Sequence, residues 1–164
     1  MIKYSLIIVL LLQSCTIKID KPFNEQAINN TLNSWHKAAS DADFDTYFSL
    51  MAEDAHFIGT ATTENWTKTA FMQFAKPFFD KGKAWNFNVL DRNIYHNAKT
   101  VWFDERLSTW MGICRGSGVL VKETDTWKIK HYVLSLTIPN TTVNQVKKIN
   151  DSITKKLLLQ LKNN

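Results

Sequence analysis

The chain has 164 residues, 45% of them hydrophobic and 21% charged, with only 5 Gly and 3 Pro. That is one domain's worth of sequence, long enough to bury roughly 68–70% of its unfolded surface, and its composition excludes a disordered or collagen-like polymer. The net charge of +5 is mild and its basic residues are dispersed outside the stretch from Lys147 to Lys162, so no nucleic-acid partner is expected.

Residues 1–14 read as a signal peptide. Lys3 supplies the positive start and Leu6 to Leu12 an apolar run of seven residues, far short of the about 20 that span a bilayer. Leu12, Gln13, Ser14 and Cys15 resemble the lipobox of bacterial lipoproteins, in which a small residue precedes a cysteine that is acylated and becomes the new N-terminus; Gln13 departs from the usual residue at its position. The resemblance implies lipidation of Cys15 and a membrane lipoprotein of the cell envelope, facing the periplasm or the cell exterior. Residues 15–22 then serve as anchor and linker. With Cys15 acylated, Cys114 has no disulfide partner and reads as a small core residue.

The domain is expected over 23–140. Ile28, Leu32, Trp35 and Ala39 recur at helical spacing and predict a first helix. Asp43 is placed to cap a second, with Phe44, Tyr47, Phe48 and Met51 as its stripe. His56 to Thr60 has strand composition. Thr67 offers a cap to a third helix carrying Phe71, Phe74 and Phe78, which Pro77 kinks or ends and Gly82 stops. Beyond Gly82 the period becomes alternating, predicting four strands near 85–95, 100–111, 118–123 and 127–137. The separators Asn97–Ala98, Arg115–Ser117 and Thr124–Thr126 read as turns, which implies an antiparallel meander covered on one face by the helices: an α+β fold with a curved sheet. In 141–164, Val146, Ile149, Ile153, Leu157 and Leu161 form an apolar stripe flanked by five lysines. This C-terminal amphipathic helix either packs on the domain or meets anionic lipid or a partner.

Trp35 in the first helix, Phe57, Ile58, Gly59 and Thr60 before the third, the run Arg115, Gly116, Ser117, Gly118, Val119, the closing Trp127 to Tyr132, and Ile138, Pro139, Asn140 after it together resemble the SnoaL-like group of the nuclear transport factor two superfamily. The resemblance covers roughly Ala27 to Asn140. It implies a cone in which a bent sheet wraps a long helix, often paired as a homodimer through the open sheet face. Relatives include polyketide cyclases, ketosteroid isomerases and dehydratases beside binding and structural modules, so the fold does not select a function.

Isomerase-type relatives hold a carboxylate base and a proton-donating partner inside the cone, and strand alternation places candidates for both on inward faces. Ile129, His131, Val133 and Ser135 share one face of the last strand, taken as inward; Val101, Phe103, Glu105 and Leu107 share one face of the second. Convergence of Glu105 and His131 would give a base with an orienting partner. The alternative is a hydrogen-bonded core His131 with Glu105 at the rim or paired with Arg106 or Arg115. Trp85 and Asp91 with Phe87 and Val89 supply another mixed face, and Asp54 and His56 suit a cone mouth. The ligand-lining candidates are therefore Trp85, Asp91, Phe103, Ser135, Asp54 and His56. The 4 His are scattered, no metal-ligand spacing or phosphate loop appears, and neither metal nor cofactor is expected. Three readings follow: an anchored module for a small apolar ligand, suggested by 10 Phe, 6 Trp and 4 Tyr; a cofactor-free acid/base enzyme; and a structural dimer marked by Trp102, Trp110 and Tyr132 on the outer face.

Overall fold

The computed structural model describes residues 23–97 and 100–162; the signal-peptide and Cys15 expectations lie outside them. Two helices come first and a third follows the first two strands, each capped at its N-terminus by a side chain. The Asn24 side chain accepts from the Ala27 amide to open α1 (Glu25–Ser40), which buries Ile28, Leu32, Trp35 and Ala39. Asp43 caps α2 (Phe44–Ser49) on the Thr46 amide, and Thr67 caps α3 (Lys68–Asp80) on the Ala70 amide. Pro77 lies within α3 rather than ending it, and the chain leaves the helix at Gly82 with φ +66°.

Six strands form one curved, unclosed sheet: β1 (Met51–Ile58), β2 (Asn65–Thr67), β3 (Asn88–His96), β4 (Val101–Thr109), β5 (Gly112–Glu123) and β6 (Thr126–Leu136). Their order is β2-β1-β6-β5-β4-β3. Strands β3 to β6 make the expected antiparallel meander, but β1 joins β6 in parallel and brings β2 with it as an added edge. Met51 begins β1 instead of ending α2. A turn of 3-10 helix (Asn140–Thr142) leads to α4 (Val143–Lys162), whose contacts run to that turn and which has no buried residue.

Two departures from the expected pattern have physical causes that matter for the site. Arg115 to Ser117 is no turn: Gly116 and Gly118 lie inside β5, facing the core. A Cβ on Gly116 would overlap Tyr132 Oη and stand 2.8 Å from its Cζ, and one on Gly118 would overlap the His131 backbone carbonyl oxygen and stand 2.9 Å from Phe103 Cε1. The reversal falls instead at Trp110–Met111, where Gly112 takes φ +103°. Second, two β-bulges change the alternation of their strands. In β3, Val89 faces Leu107 and Asp91 faces Arg106, leaving Leu90 extra; in β6, Ile129 faces Leu120 and His131 faces Val119, leaving Lys130 extra. Past each bulge, the faces are exchanged relative to simple alternation.

Candidate functional site

Glu105 stands in the middle of β4, on the inward side with Val101, Phe103 and Leu107, and is fully buried. A carboxylate there needs its charge and lone pairs satisfied. Tyr132 donates its hydroxyl to Oε1 at 2.9 Å, and His36 Nε2, from α1, lies 2.8 Å from the same oxygen. Arg92 Nε donates to Oε2 at 2.9 Å, with Nη2 2.8 Å away. Arg92 Nη1 reaches on to Asn29 Oδ1 at 2.9 Å and Asn33 Oδ1 at 3.0 Å, both on α1. The cluster thus ties α1 to β3, β4 and β6. Burial pushes the Glu105 carboxyl up, but the hydrogen bond and charge of His36 and the Arg92 guanidinium together outweigh it and hold the group below its ordinary value. Burial, then the charge of Glu105, push the Tyr132 phenol well above its ordinary value, so that it stays a neutral donor.

The bulges decide where the other expected residues fall. His131 and Glu105 do not converge: beyond Lys130 the inward positions of β6 are Tyr132 and Leu134, so His131 lies half-buried on the outer face and Ser135 is exposed. Asp91 is likewise on the outer face, paired with Arg106 instead of lining the cone, while Arg92 takes the inward position expected of it. The Arg106 hydrogen bond, the largest influence, keeps the Asp91 carboxyl low. Asp54 pairs with Lys130, and His56 is exposed opposite His131 in the β1–β6 register. Phe103 is core, its ring 6.1 Å from that of Tyr132. Of the outer-face aromatics, Trp102 is exposed there and stacks on Tyr95, Trp110 sits at the β4–β5 turn, and Tyr132 is buried on the other side of the sheet.

Trp85, of the expected lining residues, is the one that lines a partly open pocket of about 160 Å³ among the described residues, walled on one side by α3. Its walls are rings: Phe57 stacks on Phe71 at 4.1 Å, and Trp66 and Trp85 each lie 5.5–5.6 Å from Phe71 in near-parallel planes. Phe87 and Leu134 complete the inner wall and Trp110 and Met111 join it from the β4–β5 turn. Phe57 also stacks on Tyr132 and Phe87 meets His36 edge-on, so these two rings stand between the pocket and the Glu105 cluster, whose members are absent from the lining. The polar side chains on the wall are Thr60 and Glu64. Glu64 is held by the Ala61 amide, which donates to its Oε2 at 2.9 Å, and Gly59 leaves it room, because a Cβ there would overlap the carboxylate. Among the described residues no three His, Cys, Asp or Glu side chains gather into a metal-binding group.

Two pocket residues, Glu64 and Leu134, leave no mark in the sequence. Leu134 was hidden by the β6 bulge, and Glu64 lies in a polar loop with no period to reveal it.

A ring-walled pocket between α3 and one end of a curved, unclosed sheet marks a cone-shaped α+β protein with a concave apolar site. The chain belongs to the SnoaL-like domain family, which matches residues 28–139. Among solved structures it is similar to an NTF2-like protein of unknown function from Pseudomonas putida KT2440, at 14% identity and TM-score 0.60 over 72% of this chain and 89% of that one. An NTF2-like protein from Cytophaga hutchinsonii ATCC 33406 is 18% identical with TM-score 0.60, over 70% of this chain and 100% of the other. A protein from Streptomyces avermitilis, named as a candidate dehydratase of the NTF2-like family, is 12% identical with TM-score 0.61, over 70% and 96%. At these identities the likeness is one of fold. No curated protein matches the chain.

Proposed function

We propose that this chain is a lipid-anchored protein of the cell envelope whose cone binds a small, apolar, ring-bearing molecule. The observation carrying the binding reading is the aromatic pocket of about 160 Å³ beside a carboxylate, Glu105, whose oxygens are already occupied by donors of the protein itself. That volume is close to the about 150 Å³ of an apolar cavity that takes up benzene, so a single ring or a small fused pair is the matching size. Apolar walls with a few placed polar groups are what ligand pockets require, and Thr60 and Glu64 supply the orienting groups. Native mass spectrometry of the purified chain with 2-naphthol added should show one adduct per chain, lost when Leu134→Trp fills the pocket. A chain that takes up no ring compound overturns the reading.

Acid/base catalysis is the second reading, favoured by one observation: Glu64 puts a carboxylate on the pocket wall. It requires Glu64→Gln to abolish turnover of any substrate found while leaving 2-naphthol binding in place; unchanged turnover excludes it. The anchor rests on the sequence Leu12 to Cys15, and mass spectrometry of the mature N-terminus should find a multiply acylated Cys15, whereas an intact Met1 or a free thiol contradicts it. A second copy covering the outer sheet face is supported by Trp102, 42% exposed and stacked on Tyr95. Light scattering should then give a dimer that Trp102→Glu dissociates, and a monomer at high concentration excludes it.

A further inference from the structure

We propose that α4 is a second membrane contact, lying flat on an anionic lipid surface at the end of the sheet where the β4–β5 turn projects. The helix runs for 20 residues, about 30 Å, with no buried side chain. Val146, Ile149, Ile153, Leu157 and Leu161 recur every three or four residues and so form one stripe; Ile149 is 76% exposed. Lys147, Lys148, Lys155, Lys156 and Lys162 occupy the remaining arc. The one acidic residue of the helix, Asp151, is taken by Lys155 at 2.7 Å. No helix among the described residues is long and apolar enough to cross a membrane, which leaves this one lying along a surface if it meets lipid.

Charge chooses between the possible occupants of the stripe. A second copy of α4 would bring another lysine-rich flank with no free carboxylate to pair with it, so stripe-to-stripe pairing of two copies is opposed by repulsion. An anionic bilayer supplies both what the stripe lacks, an apolar layer, and what the lysines lack, negative charge. Position agrees. Thr137 donates its amide and hydroxyl to the Ile113 carbonyl at 3.0 and 2.7 Å, which starts the path to α4 beside the β4–β5 turn. Trp110 at that turn is 85% exposed, and an exposed indole suits the interfacial layer of a bilayer. Since Trp110 and Met111 also belong to the pocket wall, docking at this end sets the pocket beside the lipid.

The test uses the mature chain, residues 15–164, with Cys15→Ser, so that neither the signal peptide nor an acyl chain contributes, labelled with an environment-sensitive fluorophore at Ile153→Cys; Cys114 is fully buried and stays unlabelled. Phosphatidylglycerol vesicles should shift the emission to the blue, and phosphatidylcholine vesicles should need at least about tenfold more lipid for the same shift. Raising the salt toward about 1 M, where screening acts within about 3 Å, should reverse the shift, and so should replacing Lys147, Lys148, Lys155 and Lys156 by glutamine. A label at Lys148→Cys, on the opposite face, should stay in water. The proposal is overturned by an unchanged spectrum on phosphatidylglycerol, by equal shifts from the two labelled faces, or by a shift that follows protein concentration without lipid, which would assign the stripe to a second copy. None of these outcomes touches 2-naphthol binding in solution, so the pocket and the helix stand or fall separately.

Discussion

Replacing Glu105 by glutamine leaves the shape of the buried cluster almost unchanged and removes its negative charge. Two consequences follow from the contacts. The Arg92 guanidinium, 5% exposed, then faces a neutral amide, and the interactions with Tyr132 and His36 on Oε1 lose the charge that strengthens them. Three hydrogen bonds to a charged group at about 1.5–3 kcal/mol each would sum to far more than one substitution removes, because glutamine keeps part of each. Removing one partner of a buried ion pair costs about 3–5 kcal/mol, and that is the expected loss for Glu105→Gln in urea unfolding at pH 7. Arg92→Met should cost a similar amount and additionally leave the Asn29 and Asn33 side-chain oxygens without their donor. The two losses should be strongly non-additive, the double variant being far less destabilised than their sum. Acid supplies an independent check. A carboxyl held below its ordinary 4.5 in the folded chain stabilises the fold above that pH and ceases to do so as the pH falls through its lowered value. The wild type should lose stability below about pH 4.5 more steeply than Glu105→Gln does. A cost under about 1 kcal/mol, or additive single losses, would refute the view that this cluster holds α1 to the sheet.

Gly116→Ala sets a methyl group against Tyr132 and should cost about 3 kcal/mol through overpacking and a weakened bond to Glu105, read as a fall of about 10 °C in Tm. Unchanged melting would mean that the Tyr132 contact is loose. Pro77→Ala, at an exposed position inside α3, should raise stability by about 1 kcal/mol, because the helix regains an amide donor; lower stability in urea would contradict this. Asp91→Asn breaks an exposed pair on the outer face and should leave the urea midpoint where it was, in contrast to Glu105→Gln one residue away across the β3–β4 ladder. A large loss would place Asp91 in the core after all.

Local chemistry made much of the fold legible. Asp43 and Thr67 cap the helices they were expected to cap, and the stripe Ile28, Leu32, Trp35, Ala39 is the buried face of α1. The meander also followed from period and turn residues, except where glycine was read as a turn signal. Gly116 and Gly118 are there because Tyr132, and the His131 carbonyl with Phe103, occupy the space of their side chains, a reason that lies on other strands and leaves no local trace. The same holds for the site. A bulge adds one residue and reverses the faces, so alternation carried through Leu90 and Lys130 put Asp91 and His131 inside, where Arg92 and Tyr132 belong. Glu105 lies on the expected face of β4, yet its partners come from α1, β3 and β6, and pairings at that separation have no signature in a single sequence.

The pocket as a ligand site is tested most directly by titrating the isotopically labelled chain with 2-naphthol and following backbone amide shifts by NMR. Saturable shifts centred on Phe57, Phe71, Trp85 and Leu134 are expected, absent when Leu134→Trp fills the space. Shifts confined to the outer sheet face or to α4, or shifts that persist in Leu134→Trp, would contradict it.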